Sequence, residues 1–332
     1  MIKIIIEKDT QKDIEEMYLN DAKTRKTGII YLLKNDKDAR QILKDNCPVL
    51  YSELYEGDVL KSDALKKLLL ANRIEMMEYI EKIGDMGGEE KKVDSLLKFV
   101  FRYESYASRK ISYGILEKMN VSVCPYCNRQ YIHTITKGRV RAQLDHYYPK
   151  SRYPYLALCL YNMIPSCGVC NMAKSSLDTY AEPILYPFEE EFGTHHNFGL
   201  KMKQKGNYVK LIQGVSDDFV IEINGDTIDK ATQIKRQMEK LHLTELYQKH
   251  KDYVKDMIRN HWIYSQERQQ ELYREFPKLF TSIDEVKNMV YMTDIREEYW
   301  GKRPLSKLTH DIEQQLENGE IVLEKKVADY SL

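Results

Sequence analysis

Three scarcities bound what this chain can be. The first is a surplus of either charge: among 332 residues, 51 Lys and Arg stand against 51 Asp and Glu. A balance of zero supplies no global field for nucleic acid, so any electrostatic recognition has to be local. The second scarcity is of long apolar runs. Residues 29–33 form the longest candidate, a fragment of buried helix or strand, far short of the ~18–20 apolar residues that span a bilayer. The opening MIKIIIEKDTQ has one short apolar run at residues 4–6 and then turns charged, which is not a secretory signal. The third is of cysteine, with six in all. The expected compartment is therefore the cytoplasm, with no membrane partner, where paired cysteines suggest metal before disulfide. What remains is an ordinary globular composition, 42% hydrophobic and 31% charged, on a chain long enough for two or three domains.

Periodicity predicts helices through the first hundred or so residues. Ser62–Asp63 is a good N-cap pair, Leu65, Leu68, Leu69, Met76, Tyr79, Ile80 and Ile83 come after it at helical spacing, and Gly84 is placed to end the run. Residues 84–92 read as a polar, glycine-rich connector, and 95–119 as a further helical stretch. The texture changes from 121 to 177. Residues 131–136 and 140–144 read as two short strands around a Lys137-Gly138 turn. Pro149, Pro154 and Pro165 break up the next stretch, and a helix is expected from near Cys170 through Lys174. Strands are then expected at 208–212 and 219–223, with a turn at Asn224-Gly225-Asp226. Helices return at 228–241 and, as one long charge-laced element, at 243–276. The class is α+β, divided into a helical region (1–115), a small central module (116–200), and a C-terminal region with a hairpin and long helices (201–332).

Four of the six cysteines form two CxxC pairs, Cys124-Pro-Tyr-Cys127 and Cys167-Gly-Val-Cys170, separated by 39 residues. Each pair can turn two thiolates toward one ion, and two pairs complete the tetrahedral sulfur set preferred by structural zinc. A redox role is the weaker reading, since neither pair sits in a strand-to-helix setting like that of thioredoxin. Cys47 and Cys159 read as ordinary buried thiols.

Asp145 and His146 are adjacent at the end of an expected strand, and Asn171 and Lys174 share a helix face just beyond the last cysteine. Residues 128–153 hold Arg129, Lys137, Arg139, Arg141, Lys150 and Arg152 against one acid, Asp145. A neutral chain has thus gathered positive charge beside a carboxylate–histidine pair. Taken alone, an Asp-His pair is usually a satisfied surface contact. Tyr147, Tyr148, Tyr153 and Tyr155 interleave there, but 25 tyrosines along the chain make that clustering weakly informative. His133 is expected to face solvent or basic neighbours. His195 and His196 are read as a turn pair before additional ligands, and His242, His250, His261 and His310 receive no role.

The order CxxC, D-H-x-x-P-x-S, N, CxxC-N-x-x-K over residues 124–175, about a sixth of the chain, resembles the zinc-bearing HNH endonucleases, a branch of the ββα-metal (His-Me finger) nucleases. The segment 152–155 departs from it, standing where many relatives carry a glycine-rich loop. The resemblance implies a central ββα-metal module with helical flanks and Cys124, Cys127, Cys167 and Cys170 on a structural Zn²⁺. It implies His146 as general base, Asp145 and Asn171 as ligands of a catalytic divalent ion, usually Mg²⁺, and Asn162 as the brace of the loop bearing His146. Lys174, Lys150 and Arg152 become candidates for phosphate contact. CPYC-N-R-x-Y-I and L-D-H-x-x-P-K-S are similar to the HNH subunits of bacterial anti-phage systems such as Septu, which implies an ATPase partner. Nucleic acid is the expected substrate, DNA favoured. An RNA or tRNA nuclease of the same mechanism, or a non-catalytic zinc-stapled binding scaffold, are the alternatives.

Overall fold

The computed structural model describes residues 1–137, 140–194, 196–203, 208–225, 230–319 and 322–323. They fall into two units, Lys3–Tyr126 with Tyr131–Glu189, and Met1–Ile2 with Cys127–Gln130 and Glu190–Leu332. Both mix helices with small sheets.

In the unit that begins at Lys3, the apolar spacing does what it promised. Helix Lys8–Thr24 buries Ile14, Tyr18 and Ala22 along one face. The run at 29–33 becomes helix Ile29–Asn35, with Ile29, Ile30, Leu32 and Leu33 buried. Asp36 accepts the N–H groups of Asp38 and Ala39 and so opens Lys37–Asn46. The expected single helix from Ser62 to Ile83 is two, Ser62–Leu69 and Arg73–Ile83. The break is local: Asn72 accepts from the Glu75 N–H at 3.0 Å while the Glu75 carboxylate accepts from the Asn72 N–H at 3.0 Å. That reciprocal cap starts a new helix where apolar periodicity alone would continue the old one. Gly84 ends it at φ 88°. The stretch 95–119 is likewise divided. A π-helical turn, Leu96–Phe101, leads to Arg102 at φ 47°, then to Tyr103–Ala107 and Lys110–Met119.

The expected hairpin at 131–136 and 140–144 is corrected. Among the described residues of these segments, Val123 with Tyr131 and Ile135 with Val140 form isolated bridges, Gln143 and Leu144 alone enter a strand, and Gly138 of the expected turn lies outside the described residues. Tyr131, His133 and Ile135 face solvent, and Ile132 is the one core side chain of the first segment, so little packing extends that ladder. The ladder forms instead where the alternation meets a core. Gln143–His146 pairs antiparallel with Met163–Ser166, Asp145 opposite Ile164 and His146 opposite Met163. Helix Gly168–Lys174 comes directly after the second strand.

The other unit holds a three-stranded sheet in the order Phe219–Gly225, His196–Met202, Val322–Leu323. Helix Ser306–Glu317 is fastened to the middle strand: Asp311 accepts from the Phe198 N–H at 2.8 Å, and Gln315 exchanges two bonds with the Leu200 backbone. Lys307 gives both Asp311 oxygens a 2.6 Å bond. The strand expected at 208–212 is a short helix, Tyr208–Ile212, closed by Gly214 at φ 63°. Five residues are too few for periodicity to separate the two forms. The partner of Phe219–Gly225 is His196–Met202 instead, and Gly225 closes the strand while Asp226 lies outside the described residues. Helix 228–241 is observed as Ala231–Lys240, with 228–229 outside the described residues. The long helix expected at 243–276 is three, Leu243–Gln248, Lys251–Ile263 and Gln266–Glu275, the last begun by Ser265 accepting from the Arg268 N–H. No helix among the described residues is long and apolar enough to cross a membrane.

Candidate active site and metal centre

Cys124 and Cys127 bracket a two-residue turn, while Cys167 caps helix Gly168–Lys174 and Cys170 lies in its first turn. Their four buried sulfurs lie within 4.8 Å of one another. The N–H groups of Arg129 and Cys170 point at Cys127 Sγ and Cys167 Sγ, both at 3.4 Å. Backbone donors on the sulfurs favour thiolates, and four soft donors without a carboxylate are the chemistry of structural zinc. The cluster can therefore bind a zinc ion. Cys47 and Cys159 lie apart from it. Burial pushes their thiols up to about 11 and about 12, and Cys159 Sγ donates to the Ala71 carbonyl at 3.3 Å.

Each cysteine pair also delivers one partner to Asp145. From the first turn, Tyr126 donates its hydroxyl to Asp145 Oδ2 at 2.7 Å. From the helix that carries Cys170, the Lys174 ammonium reaches Asp145 Oδ1 at 3.2 Å and Oδ2 at 3.1 Å, and the His146 carbonyl at 2.6 Å. All three side chains are buried. Burial raises the Asp145 carboxyl above the usual range, opposed by Lys174 and Tyr126, and the same burial with the nearby Asp145 charge raises the Tyr126 phenol. Removing one partner of a buried ion pair costs ~3–5 kcal/mol. Lys174→Met is thus expected to lower the melting temperature by roughly 10 °C. The double variant Lys174→Met/Asp145→Asn should recover much of that loss, because no uncompensated charge remains. Thermal denaturation of the three proteins checks it, and a wild-type melt for Lys174→Met would contradict the pairing.

His146 is the next residue on the same strand. Its Nε2 lies 3.0 Å from the Ala157 carbonyl oxygen. A carbonyl only accepts, so Nε2 carries the proton and Nδ1 keeps its lone pair. Nδ1 makes no hydrogen bond among the described residues. Burial pushes the imidazole down to about 3, so the ring is neutral near pH 7. Tyr103 packs edge-on to it, centroids 4.4 Å apart, and donates its hydroxyl to the Leu144 carbonyl at 3.3 Å.

A cleft of about 840 Å³ opens over this strand, lined by Tyr103, Asp145, His146, Lys150 and Asn171 among others. Asn162 is fully buried. Its Oδ1 accepts from the Tyr148 N–H at 2.8 Å and its Nδ2 donates to the carbonyls of Tyr148 and Leu156, tying down the loop after His146. Asn171 donates Nδ2 to Gln143 Oε1 at 2.8 Å, which turns its amide oxygen away from that bond. Lys150 pairs with Glu104 at 2.6 Å and sits over the Tyr103 ring. Arg152 is held by Asp85 and Asp178, and Lys174 is in the core rather than on the cleft wall. His196 is buried at the start of its strand, and His195 lies outside the described residues. Sequence reasoning missed Tyr103, Tyr126 and Gln143. Tyr126 sat between two cysteines of the cluster and could have been found by its place in the turn; Tyr103 carried no local signal.

Among known proteins, the chain is similar to the Septu protein PtuB of Bacillus thuringiensis. The two are 31% identical over 96 residues, 28% of this chain and 35% of PtuB. This weak homology supports a link to Septu, and the match spans about a third of the relative's length. No protein-family model matches the chain, and no solved structure matches it.

Proposed function

We propose that the chain is a metal-dependent endonuclease of the HNH type, hydrolysing phosphodiester bonds in DNA as the effector of an anti-phage defence system. The observation that carries this reading is His146 on the cleft wall, its Nε2 anchored to Ala157 and its Nδ1 without a hydrogen bond among the described residues, beside the carboxylate of Asp145. Two antiparallel strands with a helix directly after them, together with a four-cysteine cluster, agree with the motif resemblance. The similarity to PtuB adds the defence setting.

His146 Nδ1 takes the proton from a water, whose oxygen attacks phosphorus while the bond to the 3′ oxygen breaks and that oxygen takes a proton from solvent, leaving 5′-phosphate and 3′-hydroxyl ends. Asp145 and Asn171 supply oxygen donors on the cleft wall, which suits Mg²⁺. When bound, that ion would stabilise charge on the phosphate and on the leaving oxygen. Oδ2 of Asp145 already receives Tyr126 and Lys174 and Oδ1 receives Lys174 alone, so Oδ1 is the less loaded oxygen. Asn162 keeps the loop after His146 fixed, and Tyr103 holds the ring's edge. Lys150 lines the cleft and its partner Glu104 is largely exposed, so its ammonium is available to a phosphate. The defence setting also implies an ATPase subunit that copurifies from a host carrying the neighbouring genes.

The test is incubation of the purified protein with plasmid DNA and with total RNA, in Mg²⁺ or with the Mg²⁺ chelated and then restored. Cleavage that tracks Mg²⁺ and favours DNA is the expected result. Faster cleavage of RNA would move the substrate, and cleavage of neither would remove the proposal.

A further inference from the structure

Residues 131–137 and 140–141 leave an unusual row of side chains in solvent. Tyr131, His133, Ile135 and Lys137 are exposed, while Ile132 between them is buried, so one face of the segment is outward by construction. Tyr131 and His133 stack on each other with centroids 4.8 Å apart and planes at 22°. Ile135 bridges directly to Val140. Residues directly opposite in an antiparallel pair share a face, and both are about half exposed, at 51% and 54%. Val140 and Arg141 then line the cleft, and the chain continues through Gln143 to Asp145 and His146. The outward row therefore leads along the chain into the candidate active site.

We propose that this row is a docking strip for unpaired bases, which leads a single-stranded segment of the substrate to His146. The inference rests on the nuclease reading and adds the form of nucleic acid to it. Ring faces in solvent can stack on the face of any base, but in a duplex those faces are already covered by neighbouring base pairs. The charges fit the same occupant. Lys137 and Arg141 form no ion pair with a carboxylate among the described residues; Arg141 donates Nη1 to the Ala142 carbonyl and lies over the Tyr113 ring. The nearby acid Glu117 accepts from the Thr136 hydroxyl. Stacking surfaces interleaved with unpaired cations match bases interleaved with phosphates. An apolar protein partner would leave those two cations uncompensated.

The test is fluorescence anisotropy with a labelled oligo-dT 20-mer and a duplex of equal length, on the full chain in buffer without added divalent ions. Wild type is expected to bind the single strand more tightly. Tyr131→Ala/His133→Ala should weaken single-strand binding about tenfold and duplex binding little. Tyr131→Phe, which keeps the ring, should bind as wild type. Both residues are exposed, so the melting temperature should not move. Equal single-strand affinity for wild type and the double variant would overturn the proposal, as would a clear preference for duplex. A wild type that binds through the strip yet cleaves nothing in Mg²⁺ would instead sink the nuclease reading, and leave the strip standing.

Discussion

Cys170→Ser is expected to remove the zinc and disorder the candidate active site in one step. Zinc binding by small sulfur sites is worth on the order of 10–16 kcal/mol. That is comparable to the ~5–15 kcal/mol by which domains are usually stable. The consequence here goes beyond the metal, because Cys170 shares a seven-residue helix with Asn171 and Lys174. Tyr126 stands between Cys124 and Cys127 in the other half of the cluster. Loss of one sulfur would release both partners of Asp145. Metal analysis should read near one zinc per wild-type chain and close to none in the variant, with a melting temperature lower by more than about 10 °C or a chain that does not stay soluble. A Cys170→Ser protein with a wild-type melt, or a wild type purified without zinc in reducing buffer, would contradict the assignment of the cluster.

His146→Ala is expected to lower the cleavage rate by ~10²–10⁴-fold, the usual contribution of a positioned general base. In barrier terms that is about 3–5 kcal/mol. The substitution also removes the bond to the Ala157 carbonyl, and that alone brings a modest loss of stability. Binding separates the two effects. The variant should hold an oligonucleotide with wild-type affinity, since His146 is buried and the exposed strip is untouched. A matched loss of binding and rate would instead mean that the loop after His146 had collapsed.

How much of this was legible in the sequence depended on how local the cause was. The cysteine cluster was readable because two tight turns with fixed spacing are a local requirement of one ion. The strand bearing Asp145 and His146 was readable by its alternation, but its partner was not. Met163–Ser166 contains a proline and lies beyond a loop, and only the core decides that it pairs there. Helix breaks at Asn72 and Ser265 were written in capping residues, which the longer apolar rhythm had overridden. Lys174 shows the limit most clearly. Helical spacing put it on the face of Asn171, yet where its ammonium goes is settled by a buried carboxylate on another element. Tyr103 depends on Arg102 adopting φ 47° after a π-helical turn, a conformation no residue type in that stretch announces.

On the proposed function, phosphodiester hydrolysis occurs at His146 and needs a divalent ion. One time course tests it most directly: supercoiled plasmid with wild type in Mg²⁺, wild type with the Mg²⁺ chelated, and His146→Ala in Mg²⁺. Nicked and linear DNA are expected in the first reaction alone, with activity returning to the second when Mg²⁺ is restored. Cleavage by His146→Ala at the wild-type rate would contradict it.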